Sequence, residues 1–202
     1  MAYTSLEEQE INEIKSWWNE NYKSLIAIFI IALAGVFGWR YWQDHQTAKA
    51  HEMSALYDKV VAHQDVAAKQ AQIDAFVQDN EKTGYAALVL LEKAKDAVNK
   101  QDFASAAEAL KQAASHAPEP ILAATANMRL AEVQFQQKDF DGALATLAQV
   151  KESGFANSKA LLTGEIQLAK GDKAAAKASF EEALKNATAL EQQEAQVRLN
   201  NL

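Results

Sequence analysis

Sixteen consecutive residues without a charge, Ser24 to Trp39, constrain the chain more than any other stretch. A helix of that length rises about 24 Å, a little less than the ~30 Å hydrocarbon core of a bilayer. The flanks supply the rest. Lys23 and Arg40 bound the run and can lay their stems along apolar surface with their charges in the headgroups. Trp17, Trp18 and Tyr22 precede it, and Trp39, Tyr41 and Trp42 follow it. All four tryptophans of the chain therefore sit at its two ends. An indole, apolar in body with one N–H donor, partitions to the lipid–water boundary. The run reads as a transmembrane helix over residues 24–42, held in a lipid bilayer.

Three other readings explain less. A buried core helix leaves the two aromatic clusters unaccounted for. A cleaved signal peptide wants a short basic leader, whereas residues 1–23 carry five Glu against two Lys. The one Ala-x-Ala, at Ala32 to Ala34, lies inside the run rather than after it. A re-entrant segment would need a paired half-helix, and none is visible. Basic residues do not orient the span, because Lys15 and Lys23 on one side are matched by Arg40, Lys49 and Lys59 on the other. Residues 1–23 read either as a short amphipathic helix along the interface, turning into the span, or as a solvated acidic tail. For the helix, Ser5 and Glu8 have capping-box spacing, and Leu6, Ile11, Ile14 and Trp18 share a face. Within the span, Ala34 and Gly38 have the small-xxx-small spacing of associating helices.

The remaining residues, 43–202, are rich in Ala, Gln, Lys, Glu and Leu and show no strand-like alternation, so they are expected to be all-α. The 202-residue chain has two prolines, no cysteine and a net charge of −7. That charge argues against nucleic acid as a partner, and absent cysteines exclude disulfides and thiolate chemistry. His45, His51, His63 and His116 lack metal-ligand spacing, and no phosphate loop or nucleophile–base order is present. No enzyme, cofactor, metal or small-molecule substrate is expected.

Three segments align without gaps: QDFASAAEAL from Gln101, KDFDGALATL from Lys138 and GDKAAAKASF from Gly171. Asp stands second in each (Asp102, Asp139, Asp172) and Ala sixth (Ala106, Ala143, Ala176). Each ends on a large apolar residue (Leu110, Leu147, Phe180). The alanines are 37 and 33 residues apart, close to the period of about 34 of a helix-turn-helix repeat. The Asp caps the second helix of a pair, the Ala permits close approach, and the large residue plugs the groove. Twelve residues before each Ala stands another small residue, Ala94, Ala131 or Gly164, as the facing contact on the first helix. Pro118 falls where one repeat must stop. Residues 43–86 read as two or three helices without a clear repeat. The segment from Glu191 reads as the polar helix that closes an array.

The GDKAAAKASFEEAL stretch, residues 171–184, resembles the second helix of a tetratricopeptide repeat. The repeats are degenerate: the usual Tyr three after the small residue is replaced by Ala97, Gln134 and Gln167. In this register Met128, Glu132 and Phe135 of one repeat, with Leu161, Glu165 and Leu168 of the next, are candidates for a partner-binding groove. The whole arrangement, with WRYW at residues 39–42 and YAALVLLEKAKDAVNKQDFASAAEAL at 85–110, resembles the YfgM family. That resemblance implies a bacterial inner-membrane protein with residues 1–23 cytoplasmic and 43–202 periplasmic. It implies an ancillary subunit of the SecYEG translocon, working with a PpiD-like membrane-anchored chaperone to pass exported chains to periplasmic chaperones. Rival roles are a negative regulator of an envelope-stress response acting through its cytoplasmic tail, and an adaptor for cell-wall enzymes.

Overall fold

The computed structural model describes residues 5–63, 66–185 and 187–202. The described residues are mostly helical, with no strand among them. Among the described residues nine α-helices follow in order: α1 (Ser5–Val61), α2 (Val66–Asp79), α3 (Gly84–Asn99), α4 (Phe103–His116), α5 (Pro120–Gln136), α6 (Phe140–Gln149), α7 (Ala156–Ala169), α8 (Lys173–Ala183) and α9 (Ala189–Asn200). A short 3-10 turn, Ser153–Phe155, precedes α7. The chain divides into two compact units, Met1–Met53 and Ser54–Leu202.

The first unit is the bulk of α1. This is the one helix among the described residues long and apolar enough to cross a membrane. No proline interrupts it, so it runs from Ser5 through the apolar run without a break. The turn into the span suggested by the sequence is therefore absent. Ile11, Ile14 and Trp18 are exposed, and the Ser5 side chain of the suggested capping box lies outside the described residues. Phe29, Ile30, Ile31 and Phe37 are likewise exposed, an apolar surface that is costly to leave in water. Trp17, Trp18, Trp39, Tyr41 and Trp42 are exposed at its ends, with Tyr22 half-buried and Lys23 and Arg40 exposed. Trp18 and Trp39 are separated by about 32 Å of helix rise, close to the thickness of a hydrocarbon core.

The second unit is built from helix pairs. Its opening elements, the end of α1 and α2, bury Val60, Ile73 and Phe76. Lys69 reaches Asp96 at 2.6 Å and Lys93 reaches Asp74 at 2.9 Å, tying α2 to α3. Pairs α3–α4, α5–α6 and α7–α8 follow, and each first helix ends in the same way. The N–H groups of Asp102, Asp139 and Asp172 bond the carbonyls of Ala97, Gln134 and Gln167, each at 2.9 Å. Those of Gln101, Lys138 and Gly171 bond Val98, Phe135 and Leu168. This double bond pattern is a Schellman termination, which places its second-to-last residue in the left-handed region. Gln101 and Lys138 sit there at φ 60° and 61°, and Gly171 at 86°. The next residue is the Asp, and its carboxylate immediately caps the second helix. It accepts from the N–H of Ser105, Gly142 or Ala175 at 2.9–3.1 Å. One short turn thus ends one helix and starts the next.

The structure brings each small residue together with the large one sixteen positions later. Ala94 joins Ala106 and Leu110 in one buried cluster, and Ala131 joins Ala143 and Leu147 in the next. Ala176 and Phe180 lie in a third, with Leu161 and Ala195. In that pair the plug is the largest, and the facing residue is Gly164. A methyl group there would meet Phe180 Cδ1 at 2.6 Å and Cζ at 2.9 Å. Alanine faces leucine twice, and glycine faces phenylalanine once. The sum of sizes is held while the distribution changes.

The missing tyrosine position has its own substitute. Gln134 Oε1 accepts from the Thr146 hydroxyl at 2.7 Å, both residues buried. Gln167 accepts from the Ser179 hydroxyl at the same distance. In the first pair both positions are apolar and buried, Ala97 and Ala109. Each repeat thus holds at these positions either a bonded polar pair or an apolar one. The array closes with α9, whose Thr188 and Glu191 form a capping box. Only Ala195 of this helix is buried, and Arg198 pairs with Glu165 at 2.6 Å.

Two predictions follow from these packings, both read as thermal unfolding of the full chain in detergent. Gly164→Ala should cost about 1–3 kcal/mol by overpacking, despite alanine's better helix propensity. Phe180→Leu alone should cost roughly 1–2 kcal/mol through the space it leaves. Together they should recreate the alanine–leucine solution of the other pairs and cost less than their sum by more than about 0.5 kcal/mol. Additive losses would refute the size-sum account. At the turns, Gly171→Ala should cost about 1 kcal/mol, and Lys138→Gly should gain roughly 0.5 kcal/mol. Equal effects of either sign would contradict the left-handed geometry.

Candidate partner-binding face

Each first helix presents residues three before, one after and four after its small residue. On α5 these are Met128, Glu132 and Phe135; on α7 they are Leu161, Glu165 and Leu168. Met128 and Leu161 are buried at 7% and 8% exposure inside the second and third clusters. They pack the array, and the expectation that they line an open groove is corrected. Phe135 is half-buried, its ring 5.9 Å from that of Phe140 on α6. Glu165 is held by Arg198, and Leu168 is exposed. Of the six, only Glu132 borders the open cleft described next.

That cleft, of about 380 Å³, lies between α3 and α5. Its lining includes Leu91, Val98, Phe103 and Val133 as apolar surface, and Lys95, Arg129, Glu132 and Gln136 as polar rim. Leu91, Lys95 and Val98 hold on α3 the places that Met128, Glu132 and Phe135 hold on α5. The sequence reading passed over them, although the same register spacing applied to Ala94 reaches them; Phe103 and Arg129 carry no such signal.

The electrostatics of this face are uneven. Lys95 pairs with Glu92 at 2.9 Å, which raises its pKa, and Glu165 pairs with Arg198. The Glu132 side chain is exposed at the cleft rim, and its carboxyl is raised above its ordinary value, chiefly because the cleft partly desolvates it. Nearby Arg129 opposes the shift and Glu165 adds to it. A second cleft of about 310 Å³, at the α2–α4 edge, has a charged lining in which Lys69 pairs with Asp96. Among the described residues no three histidines or carboxylates gather to hold a metal ion. His116 Nδ1 lies 2.9 Å from the Glu81 carbonyl and fixes a loop to the end of α4.

A raised carboxyl binds protons more readily in the folded than in the unfolded chain. Its ionisation therefore lowers stability as pH rises from 4.5, its ordinary value, through the folded value. Glu132→Gln should accordingly raise the melting temperature at pH 7, and the gain should shrink toward zero at pH 4. A gain equal at both pH values would mean that charge is not its cause.

Comparison with known proteins adds a second kind of observation. The family model for a tetratricopeptide repeat-like domain matches residues 15–202. A protein of Aggregatibacter actinomycetemcomitans is 53% identical over the full length of both chains. One of Haemophilus influenzae is 50% identical, again over the full length of both. One of Escherichia coli K12 is 34% identical over 97% of this chain and 96% of its own. All three bear the name ancillary SecYEG translocon subunit. Together with the single apolar helix, they fit a single-pass protein of the inner membrane.

Proposed function

Because the chain belongs to the family of ancillary SecYEG translocon subunits, built on tetratricopeptide repeat-like helices, we propose that it is a membrane-anchored scaffold of the protein-export machinery. The observation that carries this reading is likeness over the whole chain, span and repeats together, rather than over a shared repeat domain alone. The span, residues 24–42, keeps the protein beside the translocon. Residues 1–23 lie in the cytoplasm, and residues 43–202 stand in the periplasm. There the first-helix face, with Glu132 at its cleft and Glu165 and Leu168 beyond, receives a partner of the PpiD-like chaperone type. Exported chains then pass from the translocon to periplasmic chaperones. Stacked helix pairs suit this role, since they offer an extended face without any moving catalytic part. The role is one of binding, not of catalysis.

Two measurements test it. Alkaline phosphatase, which folds to an active form only after export, is fused after Leu202. Active fusion is expected, and an inactive one would reverse the topology. Purification in mild detergent should retain translocon and chaperone subunits. Recovery of a cytoplasmic response factor or of wall synthases in their place would favour the rival roles.

A further inference from the structure

The cleft between α3 and α5 has an apolar floor and, on its rim, a carboxylate without an ion pair. Among the described residues no cation lies within ion-pair distance of Glu132. Lys95 is taken by Glu92. Arg129, on the same helix, acts on Glu132 only at longer range, and Glu165 of α7 adds a like charge.

The unit itself displays how such a carboxylate is satisfied. Glu165 occupies in the next repeat the place that Glu132 occupies in this one. There α9 delivers Arg198, with Nε 2.6 Å from Glu165 Oε1. The adjoining Leu199 packs on the apolar cluster of Leu161, Ala176 and Phe180. A helix carrying a cation beside a leucine is thus the arrangement that covers this register where the chain provides its own cover.

We propose that the α3–α5 cleft docks a partner helix presenting an arginine or lysine beside a leucine-type side chain, the cation meeting Glu132 and the apolar neighbour entering between Leu91 and Val98. This rests on the scaffold reading and deepens it by stating the chemistry of the segment that is held. A carboxylate on the rim of an apolar cleft, next to a like charge and without an ion pair, gains from an arriving cation. The apolar floor supplies area, as grooves that receive amphipathic helices do. Charge then sets which helix is chosen.

The test uses the full chain in lipid nanodiscs and two short fluorescent amphipathic peptides. Both are leucine-faced helices; one carries a central arginine, the other glutamate at that place. Anisotropy should show the arginine peptide binding about tenfold tighter or more. Glu132→Gln should erase the preference, Glu132→Lys should reverse it, and Val98→Asp, at the exposed edge of the cleft, should weaken the arginine peptide. Absence of binding by both peptides would overturn the proposal, as would equal binding. So would a preference for glutamate, which would give the rim to Arg129 and Lys95, or a preference that survives Glu132→Gln. Co-purification of the unaltered chain with the translocon is scored separately. Retained co-purification with no peptide preference sinks the cleft alone, while lost co-purification sinks the scaffold reading.

Discussion

The closest approach of the two helices in each pair is the constraint on which the repeat unit depends. A small residue on the first helix faces a small residue and a large plug on the second. Ala94, Ala131 and Gly164 keep the distance short, and Leu110, Leu147 and Phe180 fill what is left. The glycine–phenylalanine pair shows that shape complementarity is conserved in sum rather than residue by residue. Everything else is placed by that contact. It orients the second helix so that its Asp cap meets the turn. It also leaves the outer arc of each first helix available to a neighbouring repeat or to a partner.

An array of this kind is held by the contacts between neighbours, so its ends need separate solutions. At the start, α2 and the last turns of α1 cover α3, with Lys69 and Lys93 crossing to carboxylates. At the finish, α9 contributes one buried alanine and one bridging arginine and is otherwise polar. Between these ends the face is not uniform. Glu165 is covered by the chain's own last helix, and Glu132 is not. That difference sets the surface of one repeat apart from that of the next.

The repeats were legible in the sequence because their determinants are local and fall at fixed spacing. Asp102, Asp139 and Asp172 cap helices whose alanines follow four residues on, and both signals survive degeneration. The helical closing segment was legible for the same reason, although its true start is the Thr188 cap rather than Glu191. The cleft between α3 and α5 was legible only in part. Met128 and Leu161 share the register of Glu132 and Glu165, but first helices inside a stack are apolar over a wide arc. On α5, Ala124, Ala126, Met128, Leu130, Ala131 and Val133 are all buried. Periodicity therefore marks which residues are on a first helix, not which of its sides a neighbour already covers. The Gln134–Thr146 and Gln167–Ser179 bonds were hidden for a different reason. A polar residue in an apolar register looks like a departure until its partner twelve positions away is placed beside it.

One small contact holds several helices in place. The most direct test is hydrogen–deuterium exchange on the full chain in nanodiscs, comparing the parent with Ala143→Leu. Ala143 is fully buried where α5 and α6 meet. The account predicts lost protection in α5 and α6 that spreads into α4 and α7, with the apolar run of α1 unchanged. Lys151→Leu, at an exposed position just after α6, should leave all of these as they were. Protection in α5 and α6 that survives Ala143→Leu, or a loss confined to α6, would contradict the claim.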